Sequence, residues 1–181
     1  MTGAAHITQV LATHMSQDDS IHLLGESLPL SPVCSSLLVQ HPQRCHLLPA
    51  ADATLVGVAI GLALAGKKPV VELSGPEALW GALQQIGQEA SNLSGEFNTS
   101  IVLRVPLGPD FADPTPLLTS VNHLHVLSPA EPADAGALVQ TALQTSGVTV
   151  ILEPLSVLGS SGGTAGTDLR ARLVQQGDDV T

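Results

Sequence analysis

Short apolar runs alternate along this chain with stretches in which apolar residues recur at helical spacing. The runs predict strands over residues 21–24, 44–48, 69–73, 100–105, 125–127 and 148–152. The stretches between them predict helices over about residues 51–66, 76–91 and 132–144, and a Pro-rich loop over 106–116. Because the strands are apolar on both faces and alternate with helices, we predict an α/β fold with a mostly parallel central sheet flanked by helices on both faces.

The predicted helix over residues 51–66 is apolar around its whole circumference, apart from Asp52 at its start. Helices of this kind are buried, so we expect this helix to be covered on every side. Gly57 and Gly61 leave a flat stripe on which another backbone could pack, which favours a subunit contact through this helix. Asp52 itself has two interpretations, as the N-cap of the helix or as a buried acid presented to a ligand.

Composition limits the size of the protein and the kinds of partner it has. The chain has 181 residues, of which 44% are hydrophobic and 12% charged, as expected for one globular domain or one domain plus a further piece. A net charge of −10 and a content of 2% aromatic residues argue against a nucleic-acid partner. No apolar run reaches membrane-spanning length, so we expect a cytoplasmic protein without a membrane partner.

Cysteines and histidines give no sign of a metal site. Cys34 and Cys45 lack the C-x-x-C spacing and are predicted to be reduced thiols. His123 and His125 lie two residues apart, which is not a zinc-binding spacing. We therefore predict that the chain holds no metal.

The composition changes near the end of the chain. Residues 159–167, G-S-S-G-G-T-A-G-T, are typical of a flexible linker. Residues 168–181 resemble the beginning of a further segment that stops early. We expect a domain over residues 1–158, a linker over 159–167 and the start of a truncated C-terminal segment over 168–181.

Several segments of the chain, in order, resemble one known family. They are L-L-G-E (23–26), R-C-H-L-L-P-A-A-D-A-T-L-V-G-V-A-I-G-L-A-L-A-G-K-K-P (44–69), I-V-L-R-V-P-L-G (101–108), L-H-V-L-S-P-A-E-P-A-D-A-G-A-L-V (124–139) and V-I-L-E-P (150–154). Together they resemble the pyrimidine-binding domain of the E1 β subunit of thiamine-diphosphate-dependent 2-oxo acid dehydrogenases, a domain that transketolases share. The resemblance covers about residues 5–158 and implies the same fold.

The resemblance also implies a function, a cofactor and partners. The chain would take part in oxidative decarboxylation of a 2-oxo acid such as pyruvate, and would not be active alone. In the family, an α-type subunit holds the thiamine diphosphate through Mg²⁺, and the β domain holds the aminopyrimidine. The helix around Gly57 and Gly61 would contact that α-type subunit or a second copy of the chain in a homo-dimer.

Two acids are carried over from the family as site residues. A family Glu hydrogen-bonds a nitrogen of the aminopyrimidine and promotes its imino tautomer, and Asp52 falls at this position with a side chain one methylene shorter. The resemblance therefore implies that Asp52 is both catalytic and cofactor-binding. Glu26 falls at a family acid near the cofactor and is the second predicted cofactor-binding residue.

Two departures from the family pattern favour an alternative function. The family places aromatic residues after the third strand, where this chain has L-S-G-P-E-A-L-W with Trp80 as its only aromatic residue. The family also has a catalytic His in the loop after the fourth strand, and this chain has none there. The alternative is a non-catalytic structural or regulatory relative of the same fold. A third hypothesis is an unrelated α/β binding module in which Asp52 only caps its helix.

Overall fold

A computed structural model describes residues 1–163 of the chain and contains one sheet of six parallel strands in the order β2-β1-β3-β4-β6-β5. The strands are β1 (Ile21–Gly25), β2 (Cys45–Leu47), β3 (Lys68–Glu72), β4 (Ser100–Leu107), β5 (Leu124–Leu127) and β6 (Gly147–Pro154). All strands point the same way, so their carboxyl ends meet at one edge of the sheet. In open parallel sheets this is the edge at which ligands bind.

Helices cover both faces of the sheet. They are α1 (Gly3–Gln17), α2 (Ser35–Gln40), α3 (Asp52–Leu64), α4 (Pro76–Gly81), α5 (Ser91–Phe97), α6 (Thr115–Leu118), α7 (Pro132–Gln144) and α8 (Leu155–Gly159). Short 3₁₀ turns span Leu28–Leu30 and Pro42–Arg44, and a π-helical segment spans Gln85–Ala90.

Each face of the sheet has its own hydrophobic core. On the first face, α1 and α7 pack closely against each other and against the strands, and Ile7, Leu11 and Met15 of α1 are completely buried. On the second face, α3 and α4 pack over alternate residues of the same strands, including Leu24 and Val71. This arrangement explains why the strands are apolar on both sides.

The predicted fold class, strands and main helices are confirmed, and three details differ. The helices α1, α2, α6 and α8 were not predicted. The helix expected over residues 76–91 is instead α4, the π-helical segment and α5, and it continues to Phe97. The expected loop over 106–116 loses its first two residues to β4 and its last two to α6.

The expectation that α3 is covered on every side is wrong for this chain by itself. The residues that face the sheet are buried, but Val58 is 37% exposed and Leu64 48% exposed on the opposite side. One side of α3 therefore presents apolar surface to solvent.

The remaining predictions about the ends of the chain are not tested by the structure. Residues 164–167 of the predicted linker and all of the predicted segment over 168–181 lie outside the described residues, so the domain boundaries stay predictions. None of the helices within residues 1–163 is long and apolar enough to cross a membrane.

Candidate functional site

Asp52 lies at the carboxyl edge of the sheet, where the chain leaves β2 and enters α3. It is the first residue of α3, and the N-cap position belongs to Ala51. Its side chain is half-buried and has no hydrogen bond or ion pair with any other residue in the described part of the chain. The structure thus gives Asp52 no capping bond and leaves the hydrogen-bonding capacity of its carboxylate unused.

The Asp52 carboxylate rests against α4 at Gly81. A Cβ atom built on Gly81 would lie 2.7 Å from Oδ2 of Asp52, so a side chain at this position would require the carboxylate or the backbone to shift. The Asp52 carboxylate thus occupies space that is free because Gly81 has no side chain. A larger residue at position 81 would displace the carboxylate or α4 itself.

Glu26 lies at the same edge of the sheet, directly after β1, and is half-buried. It faces a cavity of about 170 Å³ at the carboxyl ends of β1, β3 and β4. The cavity is lined by Glu26, Ser27, Leu30, Ser31, Glu72, Leu73, Ser74 and Pro106. Asp52 is not among these residues, so the two predicted site residues share an edge of the sheet but not this cavity.

A buried charge network, which the sequence analysis missed, lies beneath the cavity on the α1 face of the sheet. Arg104 of β4 is only 1% exposed, and Glu153 of β6 is completely buried. The Arg104 guanidinium donates to both carboxylate oxygens of Glu153, from Nε to Oε1 and from Nη2 to Oε2, each at 2.8 Å. This bidentate geometry is the strongest form of an arginine–carboxylate pair.

Glu72, at the end of β3, joins this network to the cavity. Its Oε2 accepts from Nη1 of Arg104 at 2.8 Å, from Oγ of Ser31 at 2.8 Å and from Sγ of Cys34 at 3.4 Å. Three donors on one oxygen hold the Glu72 carboxylate in one orientation. Because Glu72 also lines the cavity, its position relative to Glu26 is set by Arg104.

The network is electrostatically consistent with a permanently charged arginine. Burial opposes the charge on Arg104, but Glu153, Cys34 and Glu72 outweigh that effect and raise the pKa of the guanidinium. Burial raises the pKa of Glu153, and the adjacent Arg104 counteracts this rise. Two carboxylates surround one cation, so removing Arg104 would leave buried acids without a counter-charge.

The two cysteines are free thiols, as predicted, and both are buried. Burial raises the pKa of Cys34 to about 12, against the lowering effect of Arg104. Burial also raises the pKa of Cys45. Thiols with raised pKa values are poor nucleophiles, so we assign Cys34 a structural role as a donor to Glu72.

The residues within 1–163 contain no group of three or more histidine, cysteine or acidic side chains arranged to hold a metal ion. The arrangement at the carboxyl edge is instead suited to accepting hydrogen bonds, because it combines the unpaired Asp52 carboxylate with Glu26, Glu72 and several serine hydroxyls. A ligand with N–H groups matches this set of acceptors.

Comparison with known protein families identifies the family to which this domain belongs. The family described as the transketolase pyrimidine-binding domain matches residues 1–159. The chain belongs to this family. The family resemblance predicted from the sequence is thereby confirmed, and the unrelated α/β binding module is ruled out.

Curated relatives of this transketolase-type domain are β subunits of oxidative enzymes. The 2-oxoisovalerate dehydrogenase β subunit of Chaetomium thermophilum is 24% identical over 97% of this chain and 42% of its own length. The acetoin:2,6-dichlorophenolindophenol oxidoreductase β subunit of Cupriavidus necator is 25% identical over 97% of this chain and 61% of its own length. The pyruvate dehydrogenase E1 β subunit of Acholeplasma laidlawii is 25% identical over 97% of this chain and 60% of its own length. The chain thus spans about half the length of these relatives.

Solved structures share the fold. A split-gene transketolase, described as an inactive β4 tetramer, superposes with a TM-score of 0.78 at 19% identity, over 95% of this chain and 56% of the other. A putative thiamin diphosphate-dependent enzyme from Mycobacterium smegmatis superposes with a TM-score of 0.64 at 21% identity, over 85% of this chain and 31% of the other. At these identities the superpositions show the fold of the domain and nothing finer.

Proposed function

We propose that this chain is the pyrimidine-binding part of an E1 β-like subunit in a thiamine-diphosphate-dependent 2-oxo acid dehydrogenase. The observation that carries the proposal is the carboxylate of Asp52 at the start of α3, which has no partner within residues 1–163. Its position in the sequence matches the acid with which the family holds the aminopyrimidine. The names of the curated relatives, which include dehydrogenases of pyruvate and 2-oxoisovalerate, support a 2-oxo acid as the substrate class.

The residues present at the carboxyl edge fit an aminopyrimidine ring. Asp52 would accept a hydrogen bond from the ring, and Glu26 would provide a second acceptor at the neighbouring strand. When bound, thiamine diphosphate supplies the reactivity toward the 2-oxo acid, while the protein positions the ring and excludes water. Asp52 is shorter than the family's glutamate, and its contact with Gly81 brings the carboxylate over α4 instead of toward the cavity of Glu26.

The partner in this proposal is an α-type subunit or a second copy of the chain, bound through α3. The outward side of α3 carries two exposed apolar residues, Val58 and Leu64, and two glycines, Gly57 and Gly61. Apart from the backbone of α3 itself, no atom of the described residues lies within 4 Å of a Cβ built on either glycine. An apolar helix side with room at two glycines allows another helix to approach closely. In this arrangement the partner covers the open side of α3 and contributes the Mg²⁺ and diphosphate contacts.

Calorimetry tests the cofactor site. Thiamine diphosphate with Mg²⁺ is titrated into the full chain mixed with the α-type subunit of the same organism. We expect binding that Asp52→Asn abolishes and Asp19→Asn leaves unchanged, because Asp19 is an aspartate with a 97% exposed side chain on the loop before β1. Binding that survives Asp52→Asn would contradict the role of Asp52.

The second candidate function is a non-catalytic structural or regulatory subunit with the same fold. Two observations favour it: Asp52 packs on Gly81 and does not enter the cavity that holds Glu26, and Trp80 is 47% exposed. A complex with the α-type subunit that forms normally but binds no thiamine diphosphate would support this candidate. The predicted cytoplasmic location belongs to the proposal as well, and cell fractionation tests it.

A further inference from the structure

Two histidines on neighbouring strands form a direct hydrogen bond away from the candidate site. Nδ1 of His22 on β1 lies 2.8 Å from Nε2 of His46 on β2. The two rings are almost parallel, with an angle of 3° between their planes and 5.2 Å between their centroids. Leu24 is the register partner of His46, so both imidazoles lie on the α3 face of the sheet.

The short distance requires that the two facing nitrogens hold a single proton between them. A neutral imidazole has one donor and one acceptor nitrogen, so a neutral pair makes this bond, and a pair with one extra proton also makes it. With two extra protons both facing nitrogens carry hydrogen, and the bond becomes a repulsion between two cations. Protonation of both facing nitrogens is therefore incompatible with this hydrogen bond.

The charged groups around the pair oppose the second proton. Burial lowers the pKa of His22, and the positive charges of His46, Lys67 and Arg44 lower it further. The other nearby lysine, Lys68, is paired with Asp18, and the last turn of α3 carries no basic side chain. Arg44 has Asp19 at 3.5 Å, but that aspartate is almost fully exposed and so shields the arginine weakly.

The strand that carries His46 has few other attachments. β2 has three residues and lies at the edge of the sheet, where β1 is its single partner among the strands of residues 1–163. Directly after it, the Leu48 amide donates to the Gly25 carbonyl at 3.0 Å, and the chain then continues to Asp52. Contacts that hold β2 against β1 therefore also hold the start of α3.

We propose that His22 and His46 form a pH-sensitive latch, which fastens edge strand β2 to β1 while the pair holds at most one extra proton and releases the strand when both rings are charged. Release frees the segment that leads to Asp52. The latch itself does not depend on the proposed function. An effect of release on cofactor binding through Asp52 does rest on that function.

The sign of the pH dependence follows from the lowered pKa of His22. Above the ordinary histidine value of about 6.5 the latch contributes its full stability. As pH falls from there toward the lowered pKa of His22, the unfolded chain binds a proton that the folded chain binds less tightly. The stability contributed by the latch is therefore lost over this range of pH.

Hydrogen exchange on the full chain, without cofactor, tests the latch. After correction for intrinsic rates, we expect the β2 amides and Leu48 to lose about tenfold more protection than β4 and β6 between about pH 7.5 and about pH 5. His46→Gln keeps a hydrogen-bonding side chain that cannot become charged, and should remove this difference. His125→Asn, at an exposed histidine of β5, should retain it. Unchanged β2 protection in the natural chain would overturn the proposal.

A second measurement needs no variant. Nitrogen-15 spectra of the imidazoles should show His22 and His46 titrating in two linked steps, with loss of β2 protection following the second step. Two independent single-step titrations would overturn the latch. Because neither experiment involves thiamine diphosphate, failure of the latch and failure of the proposed function are distinguishable.

Discussion

The two faces of the sheet differ in how their charged side chains are paired at the carboxyl edge. On the α1 face, Arg104 is buried with two carboxylates, and its guanidinium nitrogens bond to Glu153 and Glu72. On the α3 face, Asp52 has no partner within residues 1–163, and Val58 and Leu64 remain exposed. The buried charges of the first face are paired within residues 1–163, whereas the second face carries a carboxylate without a partner there.

This difference separates acids that maintain the fold from acids that are available to a ligand. Glu153 is the most buried acid among the described residues. Both of its carboxylate oxygens accept hydrogen bonds from Arg104. Asp52 is less buried and makes no such bonds. Burial alone would therefore favour Glu153, although Asp52 is the acid whose hydrogen-bonding capacity is unused within residues 1–163.

The largest effect on stability is expected for Arg104→Met, which removes the cation of the paired network on the α1 face. It leaves Glu153 and Glu72 without their counter-charge, which should lower the free energy of unfolding by about 3–5 kcal/mol. Lys68→Met is the control, because it removes a half-exposed lysine paired with Asp18 and should cost at most about 1 kcal/mol. Urea unfolding measures both, and equal losses would show that the network contributes no more than a surface pair.

Gly81→Ala tests the contact that positions Asp52. A methyl group 2.7 Å from Oδ2 should cost about 1–3 kcal/mol through overpacking, partly offset by about 1 kcal/mol of helix propensity. The additional change Asp52→Ala should relieve the cost. Gly57→Ala is the matched control, since nothing lies within 4 Å of its built Cβ, and it should stabilise the isolated chain by about 1 kcal/mol. A Gly81→Ala cost that persists without the Asp52 carboxylate would contradict the contact.

Val58→Asp tests whether the exposed apolar side of α3, which the α1 face is compared with, binds a partner subunit. Because Val58 is 37% exposed and thus only partly packed, the free energy of unfolding of the isolated chain should fall by about 1 kcal/mol, the average cost of a point substitution. Association with the α-type subunit or a second copy should nevertheless be lost, as sedimentation velocity would show. Val39→Asp, at a residue of α2 that is 80% exposed, is the control and should leave association intact. The interface assignment fails if the two variants associate equally well.

Asp52→Asn should have the smallest effect on stability. The side chain has no partner to lose within the described residues, so we expect a change within about 0.5 kcal/mol in the free energy of unfolding. Thermal unfolding of the variant beside the natural chain measures this. A large destabilisation would place Asp52 with the structural acids of the α1 face instead of with the residues available to a ligand.

Most of the sheet could be predicted from the sequence because apolar runs such as S-I-V-L-R-V report burial directly. The helix α1 was missed, although Ile7, Leu11 and Met15 recur every fourth residue and Thr2 accepts from the Ala5 amide as an N-cap. These signals were present at the start of the chain. The break of the helix after α4 had no comparable signal, because π-helical segments are rare and occur mostly as single turns inside helices whose apolar spacing still predicts an α-helix.

The site was predictable in part. Asp52 and Glu26 were identified by family resemblance, while composition and spacing left Asp52 open between cap and ligand-binding acid. Arg104 offered a signal that was not used, since a single charged residue inside a buried strand requires a buried partner, and Glu72 and Glu153 occur in equally apolar strands. The contact of Asp52 with Gly81 joins residues of two different helices, and only the folded arrangement shows it.

The lengths of the strands have a consequence for how the protein behaves at high concentration. The two outermost strands, β2 and β5, have three and four residues, whereas the central β4 and β6 have eight each. Short edges offer few free backbone groups to another sheet, which protects the folded chain from edge-to-edge aggregation. Acidification that detaches β2 would expose β1, with its buried Leu23 and Leu24, as a new edge. Storage well above the ordinary titration range of histidine should therefore keep the protein monodisperse.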